Sequence, residues 1–291
     1  MAERPPRFAH FAAIDWSGAA GARQRGIAIG LCAEGAGAPA LVRGGHVWSR
    51  EDVLDWLSDA MPRNTLVGLD LGISLPFADR GAFFPGWDES PPDARGLWAL
   101  VERLSTADPH LAVSGFVDDP SVSRHFRRHG GREGEAFGGG QGRFRVTEEA
   151  QRRMGCRPYS NFNLVGAAQV GKSSLTGMRV LNRLVADVPI WPIDPLPRQG
   201  SVIVEIYTTI AAMAAGRPAG RSKLRTVEEL NQALAYLGSE PVAGAGAIDD
   251  HRSDALLAAA WLRRVAHDGA LWNPDRLDAV RHTEGWTFGA P

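Results

Sequence analysis

The residues of this chain best suited to chemistry are acids set at or within apolar runs. Asp15 lies near the end of FAHFAAIDW (8–16), Asp70 near the end of TLVGLDL (65–71), and Glu205 inside SVIVEIYT (201–208). An ionised carboxylate in apolar surroundings raises its pKa or destabilises the fold unless it has a partner. Further on, in IDDHRSDALLAAAWLRRVA, His251 and Asp254 stand three apart and so share one face of a helix. Carboxylates brought close together repel unless a cation lies among them, and hard oxygen donors suit Mg²⁺ or Mn²⁺. A pair of such ions, ~3.5–4 Å apart, supports in-line displacement at a phosphodiester: one activates a water, the other stabilises the leaving oxygen.

Some element must carry each acid to a common place. The run 8–16 reads as a buried strand ending in a turn at Ser17 and Gly18, and shorter apolar stretches over Arg25–Cys32 and Leu41–Trp48 suggest two further hairpin-linked strands. Ser49, with Asp52 three residues on, signals a helix start, and Val53, Leu54, Trp56 and Leu57 give it an apolar stripe that stops at Pro62. The strand over 65–71 follows. A right-handed crossover would make it the parallel neighbour of the first strand, so that Asp15 and Asp70 emerge at the same end, with the Glu205 strand beside them. A helix over Thr226–Leu237, a glycine-rich turn over Val242–Ala247 and the apolar helix carrying His251 and Asp254 complete the pattern. That last helix is capped by Asp249 or Asp250.

The fold class expected is therefore α/β: a mixed five-stranded sheet flanked by helices. Residues 1–71 and 198–291 form its core, and 72–197 is a large insertion after the fourth strand. Within the insertion, helical stretches are expected near Ala94–Leu104 and Leu175–Val185. Arg124, His125, Arg127, Arg128, His129, Arg132, Arg143 and Arg145, with the run Gly138–Gly140, suggest a mobile loop able to close over phosphates.

Four segments in this order, AIDWSGA, LVGLDLGISLP, VEIYTT and DDHRSDALLAAAWL, resemble a family of predicted nucleases with an RNase H fold, catalogued as domain of unknown function 429. The HRSDALLAAA helix is also similar to the last catalytic helix of Holliday-junction resolvases. The resemblance implies an RNase H-like sheet and a metal-dependent nuclease. It makes Asp15, Asp70, Glu205 and Asp254 ligands to Mg²⁺ or Mn²⁺, His251 an added ligand or general base, and nucleic acid, DNA or RNA, the partner. Asp249 and Asp250 depart from the pattern and blur the register of the last motif.

Two other strings compete. Gly166–Ser173, GAAQVGKS, fits the phosphate-loop pattern GxxxxGK[ST], with Gly171, Lys172 and Ser173 placed for a nucleotide's phosphates and Mg²⁺. That makes a nucleotide hydrolase the alternative, although Gly177 interrupts the helix and Asp15 and Asp70 are left without a role. Asp-x-Ser-Gly and GLDLGIS are also similar to phosphate-binding turns of actin-like ATPases and sugar kinases, which need two lobes where one is visible. The plainer readings are a turn residue for Asp15, a cap for Asp249 or Asp250, and an arginine partner for Glu205. A binding module that keeps the fold without catalysis is a third possibility.

The formal net charge is −1, so no global field draws the chain to nucleic acid, and any such affinity must be local. Of the 32 basic residues only Lys172 and Lys223 are lysine. Cys32 and Cys156 lack a CxxC partner, and no apolar run reaches bilayer length. With no signal-peptide pattern at the N-terminus, a cytoplasmic, membrane-free protein is expected.

Overall fold

The computed structural model describes residues 5–130, 132–166, 170–184 and 188–291. Met1–Arg4, the stretch 167–169 of the GxxxxGK[ST] string and Val185 at the end of an expected helix lie outside them.

Strand β1 (His10–Asp15) is followed by β2 (Ala28–Ala33), β3 (Ala40–Leu41), α1 (Arg50–Asp55) and β4 (Thr65–Asp70). Ser49 and Asp52 cap α1 reciprocally, and a π-helical turn over Trp56–Ala60 extends it. The chain then forms α2 (Ala94–Leu104), α3 (Ser114–Asp118), α4 (Pro120–Ser123), the hairpin β5 (Arg127–Arg128) and β6 (Arg132–Glu133), α5 (Val146–Arg153) and α6 (Val170–Arg183). It closes with β7 (Ile190–Trp191), β8 (Val202–Glu205), α7 (Thr208–Ala214), α8 (Val227–Tyr236), α9 (Asp250–Val265) and α10 (Leu277–Val280).

The main sheet runs β3-β2-β1-β4-β8-β7. β1, β2 and β3 pair antiparallel, whereas β1/β4, β4/β8 and β8/β7 pair parallel. It has six strands, one more than expected. The addition, β7, is two residues long and leaves no periodicity to read, yet Ile190 and Trp191 are fully buried beside Ile203 and Val204. β3 is shorter than the run 41–48 suggested, because Arg43 takes a left-handed φ of 48° and Gly44–Gly45 turn the chain away.

The central strands are apolar throughout because both faces are covered. Ala12, Ile14, Val67, Leu69 and Ile203 pack towards α1, α2 and α6. Phe11, Ala13, Leu66, Val202 and Val204 pack towards α7, α8 and α9. The residues alternate between the two cores with the period of a strand. α9 crosses β1 and β2 closely enough that a Cβ at Gly30 would stand 2.4 Å from the Ala255 carbonyl, so only glycine fits there.

Residues 72–197 contribute α2 and α6 to one cover of the sheet and β7 to its edge. The arginine-rich stretch is not the open loop the sequence suggested, because acids and aromatic rings nearby occupy its guanidinium groups. Arg124 pairs with Glu135, Arg127 with Glu133 and Arg128 with Asp118. Arg127 and Arg152 lie over the rings of Phe137 and Phe144. Arg143 is buried against Asp79 and the carbonyls of Pro76, Ala82 and Phe83. Among the described residues no helix is long and apolar enough to cross a membrane.

Candidate acidic site

β1, β4 and β8 are parallel and end at the same edge of the sheet, where α/β folds commonly bind ligands. Asp15 and Asp70 are direct register partners. Strand alternation fixes their direction: Phe11 and Ala13 on β1, and Leu66 on β4, face α9, so Asp15 and Asp70 do too. Asp249 caps α9 by accepting from the Arg252 amide, which settles the register of that helix. Asp254 then falls on its buried side, and His251 lies one turn nearer the start.

Nδ1 of His251 lies 2.8 Å from Oδ2 of Asp15. Lys223, from the segment between α7 and α8, places Nζ 2.5 Å from Oδ2 of Asp254. Asp70 accepts from the Thr208 amide at 3.3 Å and the Thr208 hydroxyl at 3.1 Å, and has no basic partner among the described residues. The electrostatics follow from that inequality. Burial, then the nearby charges of Asp15 and Asp254, push the Asp70 carboxyl up to about 8. Burial raises Asp254 to about 6 against the pull of Lys223, and raises Asp15 although His251 and Lys223 oppose it. His251 is held above its ordinary value, chiefly by its hydrogen bond to Asp15.

Glu205 departs from the expected ligand set. It is the register partner of Leu69, whose side chain packs on the α2/α6 face, so alternation turns it away from Asp15 and Asp70. Its oxygens are also taken. Oε1 accepts from Arg145 Nη2 at 2.6 Å and from the Thr287 hydroxyl, and Oε2 accepts from Arg145 Nη1 and the Ile73 amide, both at 2.8 Å. Arg145, 1% exposed, also holds Glu148 through two bonds of 2.6 and 2.8 Å. A buried guanidinium shared by two buried glutamates is costly to break from either side. This cluster walls the site.

A cavity of about 560 Å³ opens over these groups, lined by Asp15, Asp70, Lys223 and His251 together with Trp16 and the exposed Tyr159. Its rim includes the turn after β1. The buried Arg50 fixes that turn by donating to the carbonyls of Ser17 and Ala19, and the Gly18 amide donates to Ser173 Oγ at 3.1 Å. Lys172 and Ser173 thus lie in the first turn of α6, with Ser173 nearly buried against the turn. Among the described residues no strand of the main sheet leads into them: of residues 161–165 only Asn163 forms a bridge, with Arg127.

A divalent cation fits part of this donor set. Asp15 and Asp70 offer hard carboxylate oxygens, and Asp70 lacks the positive charge that would keep it ionised at neutral pH. Among the described residues no three His, Cys, Asp or Glu side chains are already spaced to close on one ion. Mg²⁺ does not need such a cage, since one or two carboxylates with water and substrate phosphate oxygens commonly hold it.

Lys223, Thr208 and Tyr159 were not assigned to the site from sequence, and Arg145 was read as part of a loop closing over phosphates, although an arginine partner for Glu205 was the plainer reading of that acid. Of the three unassigned residues only Lys223 carried a signal, as one of two lysines in a chain that otherwise uses arginine. Comparison with family models, curated proteins and solved structures gives no match to this chain.

Proposed function

We propose that this chain is a metal-dependent phosphodiester hydrolase built on an RNase H-like sheet, with nucleic acid as its substrate. The observation that carries the reading is the register pair Asp15–Asp70 facing the helix that bears His251 and Asp254, with Asp70 lacking a basic side-chain partner among the described residues. Three antiparallel strands followed by parallel β4 and β8, with aspartates ending β1 and β4, support the RNase H-like assignment. The resemblance of four ordered segments to predicted nucleases of that fold points the same way.

Asp15 and Asp70 are the residues to hold Mg²⁺ or Mn²⁺. When bound, such an ion supplies charge to the phosphoryl oxygens and acidifies a water. Oδ2 of Asp15 orients the His251 ring through Nδ1, which leaves Nε2 to accept a proton from the attacking water. The raised basicity of His251 suits that task. Trp16 and Tyr159 border the cavity and offer apolar faces beside it.

The nucleotide-hydrolase alternative rests on Lys172 and Ser173 opening α6, but among the described residues it lacks a core strand ahead of the loop, and Glu205, the carboxylate that would answer it, is bound to Arg145. Incubation of labelled single- and double-stranded DNA and RNA with Mg²⁺ or Mn²⁺ tests the proposal. Cleavage should stop with EDTA and fall about 100-fold or more in Asp70→Asn, the several kcal/mol a catalytic metal supplies. Cleavage that persists in EDTA or in Asp70→Asn would overturn it, as would nucleotide hydrolysis lost in Lys172→Ala.

A further inference from the structure

The charges around the cavity are matched unevenly. Asp254 has an ammonium, Asp15 an imidazole, and Asp70 only a hydroxyl and an amide. The ammonium is chemically conspicuous, since of 32 basic residues only Lys172 and Lys223 are lysine. An ammonium is a compact point charge, whereas a guanidinium is a planar fork that spans two acceptors. Lys223 reaches a nearly buried carboxylate from a half-exposed position, and its field acts on Asp15 as well as Asp254. A second divalent ion on Asp254 would have to sit beside the ammonium that already holds its Oδ2.

We infer that Lys223 takes the place of a second cation: its ammonium neutralises Asp254, so the site accepts one divalent ion, on Asp15 and Asp70, and not a metal pair. The inference rests on the metal-dependent reading above and fixes its stoichiometry. Lys223 is thereby a positioning residue, setting charge at the site through Asp254.

Mn²⁺ stoichiometry, read by electron paramagnetic resonance of the free ion and independently of turnover, tests it on the full chain. Wild type should bind one Mn²⁺, Lys223→Ala two, and Lys223→Ala/Asp254→Asn one. Asp254→Asn alone leaves the half-exposed Lys223 ammonium acting on Asp15, so it should still bind one Mn²⁺, more weakly than wild type, and it serves as the measurement if Lys223→Ala does not fold. Two ions on wild type, one ion on folded Lys223→Ala, or Mn²⁺ affinity lost in Asp254→Asn would overturn the inference and leave the metal-dependent reading standing. Absence of Mn²⁺ binding by wild type would remove both.

Discussion

Asp15 and Asp70 stand opposite each other on adjacent parallel strands, and among the described residues only Asp15 has a basic side chain in contact. The pair is therefore electrostatically lopsided. Asp15 shares its charge with His251, whereas Asp70 is driven towards its neutral form by burial and by its acidic neighbours. On the proposed reading, a divalent cation beside Asp70 would offset that imbalance.

The first prediction follows from the Asp70 carboxyl at about 8 against an ordinary 3.8. Between those values the folded state binds more protons than the unfolded one at this group, so the Asp70 contribution to metal-free stability is greatest below about pH 4 and declines as pH rises towards 8. Asp70→Asn removes the penalty. Its metal-free Tm at pH 8 should exceed wild type by on the order of 4 °C, roughly 2 kcal/mol, with a flatter dependence on pH. Mn²⁺ should raise the wild-type Tm and leave the variant unchanged. Thermal melts from pH 4 to 9, with and without Mn²⁺, check both arms.

A second prediction separates Glu205 from the acids it lies near. Arg145→Met leaves Glu148 and Glu205 buried without their counter-ion and should cost about 3–5 kcal/mol in urea unfolding at neutral pH. Glu205→Gln keeps the shape but loses charge-assisted bonds, and should cost about 1.5–3 kcal/mol. Because Glu205 faces away from the Asp15–Asp70 pair, the Mn²⁺ affinity of folded Glu205→Gln should match wild type. A Glu205→Gln variant that no longer binds Mn²⁺ would show that Glu205 is a ligand.

What the sequence made legible was local. Asp15 and Asp70 end apolar runs, and His251 and Asp254 repeat at helical spacing, so each could be placed on an element before any tertiary contact was known. Glu205 met the same test and was misplaced, because β8 sits one residue out of phase with β4 for a shared acidic face, and register between strands separated by more than a hundred residues leaves no mark in either. An arginine partner for Glu205 was legible as a type of contact, but not which arginine, because Arg145 lies 60 residues away, and the pairing of Lys223 with Asp254, 31 residues on, left no mark either. The arginine run was read as open because composition reports charge but not the acids and rings that fold back upon it.

His125 carries the third prediction. It is 2% exposed, lies against Phe84 and Phe162 at ring distances of 5.4 and 6.3 Å, and neither ring nitrogen has a hydrogen-bond partner among the described residues. Burial, with Arg143, Arg124 and Arg80 nearby, lowers its pKa to about 4. The unfolded chain protonates it first, so this contribution to stability is complete above about 6.5 and is lost as pH falls towards 4. His125→Phe should raise stability at pH 7 by about 1–2 kcal/mol, by removing unsatisfied polar atoms from an aromatic cluster. The gain should widen between pH 6.5 and 4. Chemical denaturation at pH 7 and pH 5 distinguishes this from a uniform packing effect.

Gly18 offers the last test, of how the turn after Asp15 is held. A Cβ at this position would stand 2.5 Å from the Ser173 amide nitrogen and 2.6 Å from the Lys172 carbonyl carbon, both backbone atoms of the first turn of α6, which cannot swing aside as a side-chain tip can. Gly18→Ala must therefore part the turn from the helix and weaken the bond from the Gly18 amide to Ser173 Oγ. Overpacking of this kind costs about 1–3 kcal/mol. Because the turn begins two residues after Asp15 and lines the cavity with Trp16, the same displacement should weaken Mn²⁺ binding measurably. Ser173→Ala deletes only the acceptor hydroxyl and keeps the close approach, so it should cost about 0.5–1.5 kcal/mol and spare Mn²⁺ affinity. Equal losses of Mn²⁺ affinity in both variants would instead place the hydroxyl itself, and with it the start of α6, in the metal site.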